Sequence, residues 1–164
     1  MVPGPSFRIG FGYDVHRFAE GRELWLGGIL IPHSTGLLGH SDADVLLHAV
    51  CDALLGAVSL GDIGTHFPDT DQAWKGADSK RLLAAVVQLL DKEGWAVGNV
   101  DCTLVMERPK IMPHVPGMRK TMASLLEVAE DAVSIKATTN EKLGYVGREE
   151  GACAHAVALV YRKA

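Results

Sequence analysis

Cysteine is scarce in this chain, with three in 164 residues, and Cys51, Cys102 and Cys153 share no C-x-x-C spacing. An odd, scattered set in apolar surroundings points to buried free thiols rather than disulfides or metal ligands, as suits a reducing compartment. Net positive charge is missing as well. Sixteen Lys and Arg against 20 Asp and Glu leave a net charge of −4, whereas a nucleic-acid binder normally presents a basic face. A phosphorylated small molecule stays open, because bound metal ions and a few local cations can hold an anion on an acidic protein. No apolar run reaches the ~18–20 residues of a membrane span. Residues 1–6, Met-Val-Pro-Gly-Pro-Ser, carry neither a basic region nor an apolar stretch, so no signal peptide is expected there. Internal repeats, low-complexity tracts and linkers are lacking too. The expectation is one domain over residues 1–164 of a cytoplasmic protein, with 48% hydrophobic and 22% charged residues, the ordinary composition of a globular chain.

What is present is a regular succession of short apolar segments punctuated by glycine. Residues 7–13 read as a strand, in which Gly10 and Gly12 signal a close backbone approach. The runs Leu24-Trp25-Leu26 and Ile29-Leu30-Ile31 flank Gly27-Gly28, the mark of a bulge or a tight hairpin. Residues 44–57 form an apolar helix interrupted only by Asp44, His48 and Asp52, one polar stripe at i, i+4 spacing that needs buried partners. Residues 61–78 lack periodicity and read as a long loop, a type of segment that is usually functional in a compact domain. An amphipathic helix over 79–93 with Asp78 as N-cap comes next, then a strand over 100–106. A helix within 113–130, starting near Pro116, precedes strands over 133–138 and 152–161. The order is roughly β-β-α-α-β-α-β-β. It predicts an α/β fold of α+β-like character, a mixed β-sheet with helices packed on it.

Chemistry concentrates in few places. Asp14 and His16, two apart at the close of the first strand, point to one face because strand side chains alternate. His48 from the helix would complete a three-ligand site with an open fourth position, the arrangement of a catalytic zinc. Iron or manganese would suit the same donors. Asp52 or Asp44 could accept the other ring N–H of His48. The plain alternatives are a strand-end D-x-H without metal and a satisfied core histidine. Thr138-Thr139-Asn140-Glu141-Lys142-Leu143-Gly144 follows an apolar strand and reads either as a solvated turn or as an anion site. There Glu141 could hold a harder cation of the magnesium type. Lys110, Lys136 and Arg148 are ordinary surface residues unless placed beside it. Gly61-Asp62-Ile63-Gly64 and Phe67-Pro68-Asp69-Thr70-Asp71 either grip substrate hydroxyls or form turns. The residues alone lead to a metal-dependent enzyme acting on something anionic.

The order of these segments carries a resemblance. Gly12-Tyr13-Asp14-Val15-His16, Gly39-His40-Ser41-Asp42-Ala43-Asp44-Val45 running to His48, Gly61 to Gly64, Phe67 to Asp71, Pro109-Lys110, Lys136 to Gly144 and Gly147-Arg148 together resemble the 2-C-methyl-D-erythritol 2,4-cyclodiphosphate synthase family of the non-mevalonate isoprenoid pathway. The likeness extends from Arg8 to Tyr161. It implies a homotrimer with active sites between neighbouring subunits. It implies zinc, or another divalent transition metal, on Asp14, His16 and His48, and magnesium or manganese on Glu141. His40 and Thr139 match positions that stabilise the transition state. Val15 falls within the substrate-binding stretch that begins at Asp14. His40, Ser41, Asp62, Ile63, Gly64 and Phe67 through Asp71 would contact the methylerythritol and its phosphates. Met106 through Met112, with Lys110 and Ile111 among them, would line a cytidine pocket with Thr138 and Thr139, and Asn140 would also bind substrate. Tyr145 and Arg148 match a pair near the trimer axis, where an isoprenoid diphosphate would bind. The chain departs from many relatives at Met106-Glu107-Arg108, where smaller, neutral residues are common, and at Glu149, where glycine is frequent. Two rivals remain from the residues: a zinc-stabilised trimer that binds without turnover, and a zinc phosphoesterase.

Overall fold

Two glycines set the distance between the sheet and its first helix. The computed structural model describes residues 6–163, so the reading of residues 1–5 falls outside the described residues. In chain order the strands are β1 (Phe7–Glu20), β2 (Leu24–Leu26), β3 (Ile29–Ile31), β4 (Thr35–Leu37), β5 (Trp95–Val105), β6 (Val133–Thr138) and β7 (Gly151–Arg162). The α-helices are α1 (Val45–Ala57), α2 (Ile63–His66), α3 (Ser79–Lys92), α4 (Val115–Leu126) and α5 (Gly144–Gly147). A Cβ on Gly10 would stand 1.9 Å from the Ala53 carbonyl oxygen, and one on Gly12 would stand 1.9 Å from that of Ala49. Only a hydrogen fits, so α1 lies with its backbone directly on β1.

β1 continues to Glu20 instead of stopping at Tyr13. Its second half finds partners in β7, with Asp14 opposite Ala154 and His16 opposite Ala152, and in β4, with Phe18 opposite Leu37. Asp14 and His16 therefore lie inside a strand, not at its close. β4 itself was not foreseen. The five-stranded order is β4-β1-β7-β5-β6, antiparallel except for the β5–β6 pair, so the mixed sheet expected from the sequence is present. β5 begins at Trp95 rather than 100 because Trp95, Ala96 and Val97 pair with β7 ahead of a bulge.

The Gly27-Gly28 signal resolves to a hairpin. Both glycines are left-handed (φ 59° and 78°), the pattern of a two-residue primed turn between β2 and β3. Their amides donate to the Asp44 carboxylate at 3.0 and 2.7 Å, and Asp44 also caps α1 by accepting from the Leu47 amide at 3.0 Å. Asp44 is buried structural glue and does not support His48. Asp52 accepts from the Ile63 amide at 2.7 Å and holds α2 to α1, so neither carboxylate of the stripe serves the histidine between them. The expected loop 61–78 contains α2 and a 3₁₀ turn at Gln72–Trp74, capped by Asp62 and Asp71. α4 ends at Leu126, short of 130, because Glu127 turns left-handed at φ 58°.

Helices α1, α3 and α4 pack on one sheet face around a core that includes Leu46, Leu54, Leu83, Leu104 and Met118. All three cysteines are buried free thiols. The other face is covered only at one end, where Val146 of α5 buries Val105 and Cys153; over β1 it is open, with Phe7, Ile9, Phe11, Tyr13 and Val15 42–62% exposed, alongside Val157 and Tyr161 of β7. No helix among the described residues is long and apolar enough to cross a membrane.

Candidate active site

Period-2 alternation puts Asp14 and His16 on the β1 face that looks toward α1, and His48 enters the same space from the helix. Asp14 Oδ2 lies 3.0 Å from His16 Nε2 and 3.0 Å from His48 Nδ1. The two ring nitrogens are 3.1 Å apart. Donors on a tetrahedral zinc at ~2.0–2.1 Å stand about 3.3 Å from one another, so this near-equilateral triangle needs only a small expansion to take the ion. The donor set fits the metal. Among the described residues this triad is the cluster whose ligand atoms lie within 4.8 Å of one another, and Glu141 is not part of it.

With a metal bound, hydrogen bonding fixes both tautomers. His16 Nδ1 faces the Leu38 carbonyl at 2.9 Å, which can only accept, so Nε2 keeps its lone pair for a metal. The Ser79 hydroxyl donates to Asp42 Oδ1, leaving its oxygen to accept the Nε2–H of His48 at 2.9 Å. The lone pair of His48 Nδ1 then points at the centre of the triangle. Ser41 Oγ stands 3.2 Å from the same His48 nitrogen. These supporting residues, Ser79 and Asp42, escaped sequence reasoning. Ser79 sits at the start of α3, distant along the chain, and no local spacing links it to His48.

Burial pushes the Asp14 carboxyl up, but hydrogen bonds from His16 and His48 outweigh it and hold the group well below the usual carboxylate range. Burial pushes His16 down, but its bond to Asp14 outweighs that and leaves it above its ordinary 6.5. A raised histidine contributes stability that is complete below 6.5 and lost as pH rises through its folded value. Asp14, depressed, contributes above 3.8 and loses its share only as pH falls through its folded value. Metal-free protein should therefore melt at higher temperature as pH is lowered toward 6.5 from above. With zinc bound the slope should reverse, since protons compete for the same nitrogens. Thermal melts across pH with and without chelator read this directly, and parallel slopes would count against a shared proton-and-metal site.

A cavity of about 380 Å³ opens beside the triad, walled by Asp14, His16, His48, His40 and Ser41 on one side and Ile63, Gly64, Phe67, Pro68 and Asp69 on the other. The two motifs from the long loop thus reach the metal ligands, and Trp74 and Leu82 join the wall unforeseen. Asp62, Thr70 and Asp71 stand off that wall. Asp62 Oδ1 accepts from the Thr65 amide at 2.9 Å, Asp71 Oδ1 accepts from Ala73 at 2.9 Å, and the Asp71 carbonyl lies 3.3 Å from His40 Nε2.

A second cavity, also about 380 Å³, is lined by Met106, Glu107, Pro109, Lys110, Ile111, Met112, Ala137, Thr138 and Thr139. It shares no wall residue with the first. The register shows how far apart they lie. Val15 pairs with Cys153, Cys153 with Val105, and Val105 with Thr138, so three strand spacings, roughly 14 Å, separate β1 from β6 at this end of the sheet. Val15 points to the uncovered face, opposite Asp14 and His16. On that face the Tyr13 and Tyr145 hydroxyls meet at 3.1 Å. Arg148 pairs with Glu150 at 2.7 Å, and Lys136 pairs with Asp101. After β6, Thr139 Oγ1 donates to Glu141 Oε1 at 3.3 Å, and Asn140 Nδ2 donates to the Leu143 carbonyl at 2.8 Å.

The family model described as the YgbB family matches residues 7–161. The chain belongs to the YgbB family. A relative from Synechococcus elongatus, named 2-C-methyl-D-erythritol 2,4-cyclodiphosphate synthase, is 63% identical over 156 residues, covering 95% of this chain and 98% of its own length. Among solved structures, the bifunctional IspDF from Campylobacter jejuni superposes with a TM-score of 0.93 at 39% identity. The match covers 98% of this chain and 43% of that one, so this YgbB-family chain spans under half of that protein. A CDP-bound form of 2C-methyl-D-erythritol-2,4-cyclodiphosphate synthase matches with a TM-score of 0.86 at 39% identity, covering 93% of this chain and 99% of the other. The YgbB assignment bears out the family resemblance read from the ordered motifs.

Proposed function

We propose that the chain converts 4-diphosphocytidyl-2-C-methyl-D-erythritol 2-phosphate to 2-C-methyl-D-erythritol 2,4-cyclodiphosphate and CMP in the non-mevalonate isoprenoid pathway. The observation that carries this is a preformed three-donor metal site opening onto a cavity, in a chain 63% identical to a named cyclodiphosphate synthase.

The reaction is a ring closure. The 2-phosphate attacks the β-phosphorus and CMP leaves, so a P–O bond forms as another breaks and no net proton transfer is needed. The difficulty is bringing phosphates together, since unit charges about 4 Å apart repel by roughly 4 kcal/mol at an effective dielectric near 20. A zinc on Asp14, His16 and His48 and a magnesium or manganese on Glu141 would supply Lewis-acid polarisation and charge neutralisation. The residues of the chain supply the rest. His40 and Thr139 donate hydrogen bonds to charge developing in the transition state. Ser41, Ile63, Gly64, Phe67, Pro68 and Asp69 fold the methylerythritol chain into a closing pose and exclude water. Asp62, Thr70 and Asp71 shape that wall through the turns they cap or join. Met106, Lys110, Ile111, Met112 and Thr138 receive the cytidine, and Asn140 borders its phosphates.

Three subunits complete the sites. The uncovered apolar face of β1 and β7 is the kind of patch that a soluble chain buries against copies of itself, and a neighbour could bring its Thr138 cavity to this chain's metal cavity. Tyr145 and Arg148 would then lie near the trimer axis, where an isoprenoid diphosphate would bind. The enzyme would be a cytoplasmic phosphorus–oxygen lyase.

Incubation with the CDP-linked substrate tests the reading. CMP with cyclic diphosphate is expected. Inorganic phosphate would indicate a phosphoesterase instead, and binding without turnover a non-catalytic module. Glu141→Gln should raise the magnesium or manganese concentration for half-maximal activity by about 10-fold, because a neutral amide is a poor ligand for a hard cation. An unchanged titration would remove Glu141 from the site.

A further inference from the structure

The loop that follows β6 is held in a conformation its residues do not favour. Glu141 and Lys142 are consecutive, neither is glycine, and both are left-handed, at φ 50° and 61°. Such a pair persists only when its surroundings over-determine it. The holding group comes from another strand end. Glu107, just past β5, accepts the Asn140 amide at 3.0 Å and the Lys142 amide at 3.2 Å on the same Oε1. The segment is itself anchored, since the Met106 amide donates to the Thr138 carbonyl at 3.0 Å. Gly147 closes the other side, where a Cβ would lie 2.0 Å from the Lys142 carbonyl carbon.

Convergent backbone N–H groups in a left-handed turn make a concavity that attracts anions. In this chain the anion that fills it is the carboxylate of Glu107. Thr139, on the same loop, lines the second cavity together with Glu107, and Thr139 Oγ1 in turn orients Glu141. Arg108, the next residue, pairs with Glu149 at 3.4 Å, but both side chains are largely exposed, and such pairs contribute little. The grip is that of Glu107.

We propose that Glu107 is a positioning residue: its carboxylate locks residues 139–142 in the turn that presents Thr139 and Glu141, and thereby sets the affinity of that loop for its hard divalent cation. The proposal rests on the reading of Glu141 given above. Both amides that Glu107 accepts are spent on its carboxylate rather than on the ligand.

The test uses the full-length, zinc-loaded protein and two variants, Glu107→Ala and Glu107→Gln. Hydrogen–deuterium exchange of the 139–143 segment should speed up by about 10-fold or more in Glu107→Ala, the scale expected for losing charge-assisted bonds to two amides. The increase should be smaller in Glu107→Gln, whose amide oxygen still accepts. Manganese titration of CMP release should shift upward by about 10-fold in the alanine variant and less in the glutamine variant, with zinc content at the parent level. Unchanged exchange in Glu107→Ala, or equal damage in both variants, would overturn the lock. Loss of zinc from Glu107→Ala would overturn it as well, since a general structural defect would then explain the result. Glu141→Gln run alongside separates the two claims. If that variant leaves the manganese titration unmoved, the assignment of Glu141 fails, while the exchange rates still decide the role of Glu107.

Discussion

A His48→Ala protein, purified without chelator, should keep its fold, carry almost no zinc and turn over substrate at least ~10³-fold more slowly. The geometry leaves no substitute ligand. The metal-facing atom of His48 is Nδ1, one corner of a triangle with 3.0–3.1 Å edges, and removing it leaves two donors where three define the site. The serines behind it cannot step in, because they stand against the opposite ring nitrogen, and Ser79 is committed to Asp42. The fold should survive for equally local reasons. Alanine is the best helix former, position 48 closes the first turn of α1, and the Ser79 hydroxyl keeps its carboxylate partner. A stability loss of about 1–2 kcal/mol against the metal-free parent is the expected scale. Elemental analysis and a circular-dichroism melt on the same sample read both halves. A full complement of zinc in the variant would remove His48 from the ligand set.

Asp44, one turn earlier on the same stripe, shows what periodicity can and cannot reveal. Spacing alone made Asp44, His48 and Asp52 equivalent, three polar groups on a buried helix face. The structure gives them three jobs: Asp44 binds the two glycine amides of the β2–β3 turn, His48 faces the metal site, and Asp52 holds α2. Their partners are distant along the chain, so only tertiary contacts could assign them. The same reason hid Ser79 and Asp42 behind His48, and hid Glu107 beneath the 139–142 loop. What was legible followed from local chemistry. Alternation placed Asp14 and His16 on one face, Gly10 and Gly12 marked a close backbone approach, and Gly27-Gly28 marked a bulge or a hairpin. β4 escaped because Thr35-Gly36-Leu37 is too short to alternate, and it exists only by pairing with the extension of β1. That extension escaped for the complementary reason, since its partners are β4 and the start of β7.

Mixing two inactive variants should restore activity. In one chain the metal cavity and the Thr138 cavity lie on different strands, β1 and β6, with β7 and β5 between them, roughly 14 Å at 4.7–4.9 Å per strand. Asp14 and His16 face α1, whereas Thr138 lies in the register row of Val15, Cys153 and Val105, on the opposite face. The proposed ring closure needs one diphosphate to reach the metal cavity and the proposed nucleotide cavity at once, which a separation of that order disfavours within a subunit. In the proposed trimer a neighbour would remove the conflict. Chains carrying His48→Ala lose the metal half, and chains carrying Glu141→Ala lose the other. Co-assembled at equal amounts, they form sites at random between neighbours, and about one site in four draws both intact halves from different subunits. Activity near one quarter of the parent level should therefore appear in co-expressed trimers, although each variant alone is nearly silent. Sites built within single chains would yield no recovery at all. The recovery should also vanish if Phe11→Glu is added to both variants, since a charge there would disrupt the apolar face proposed to bring the subunits together.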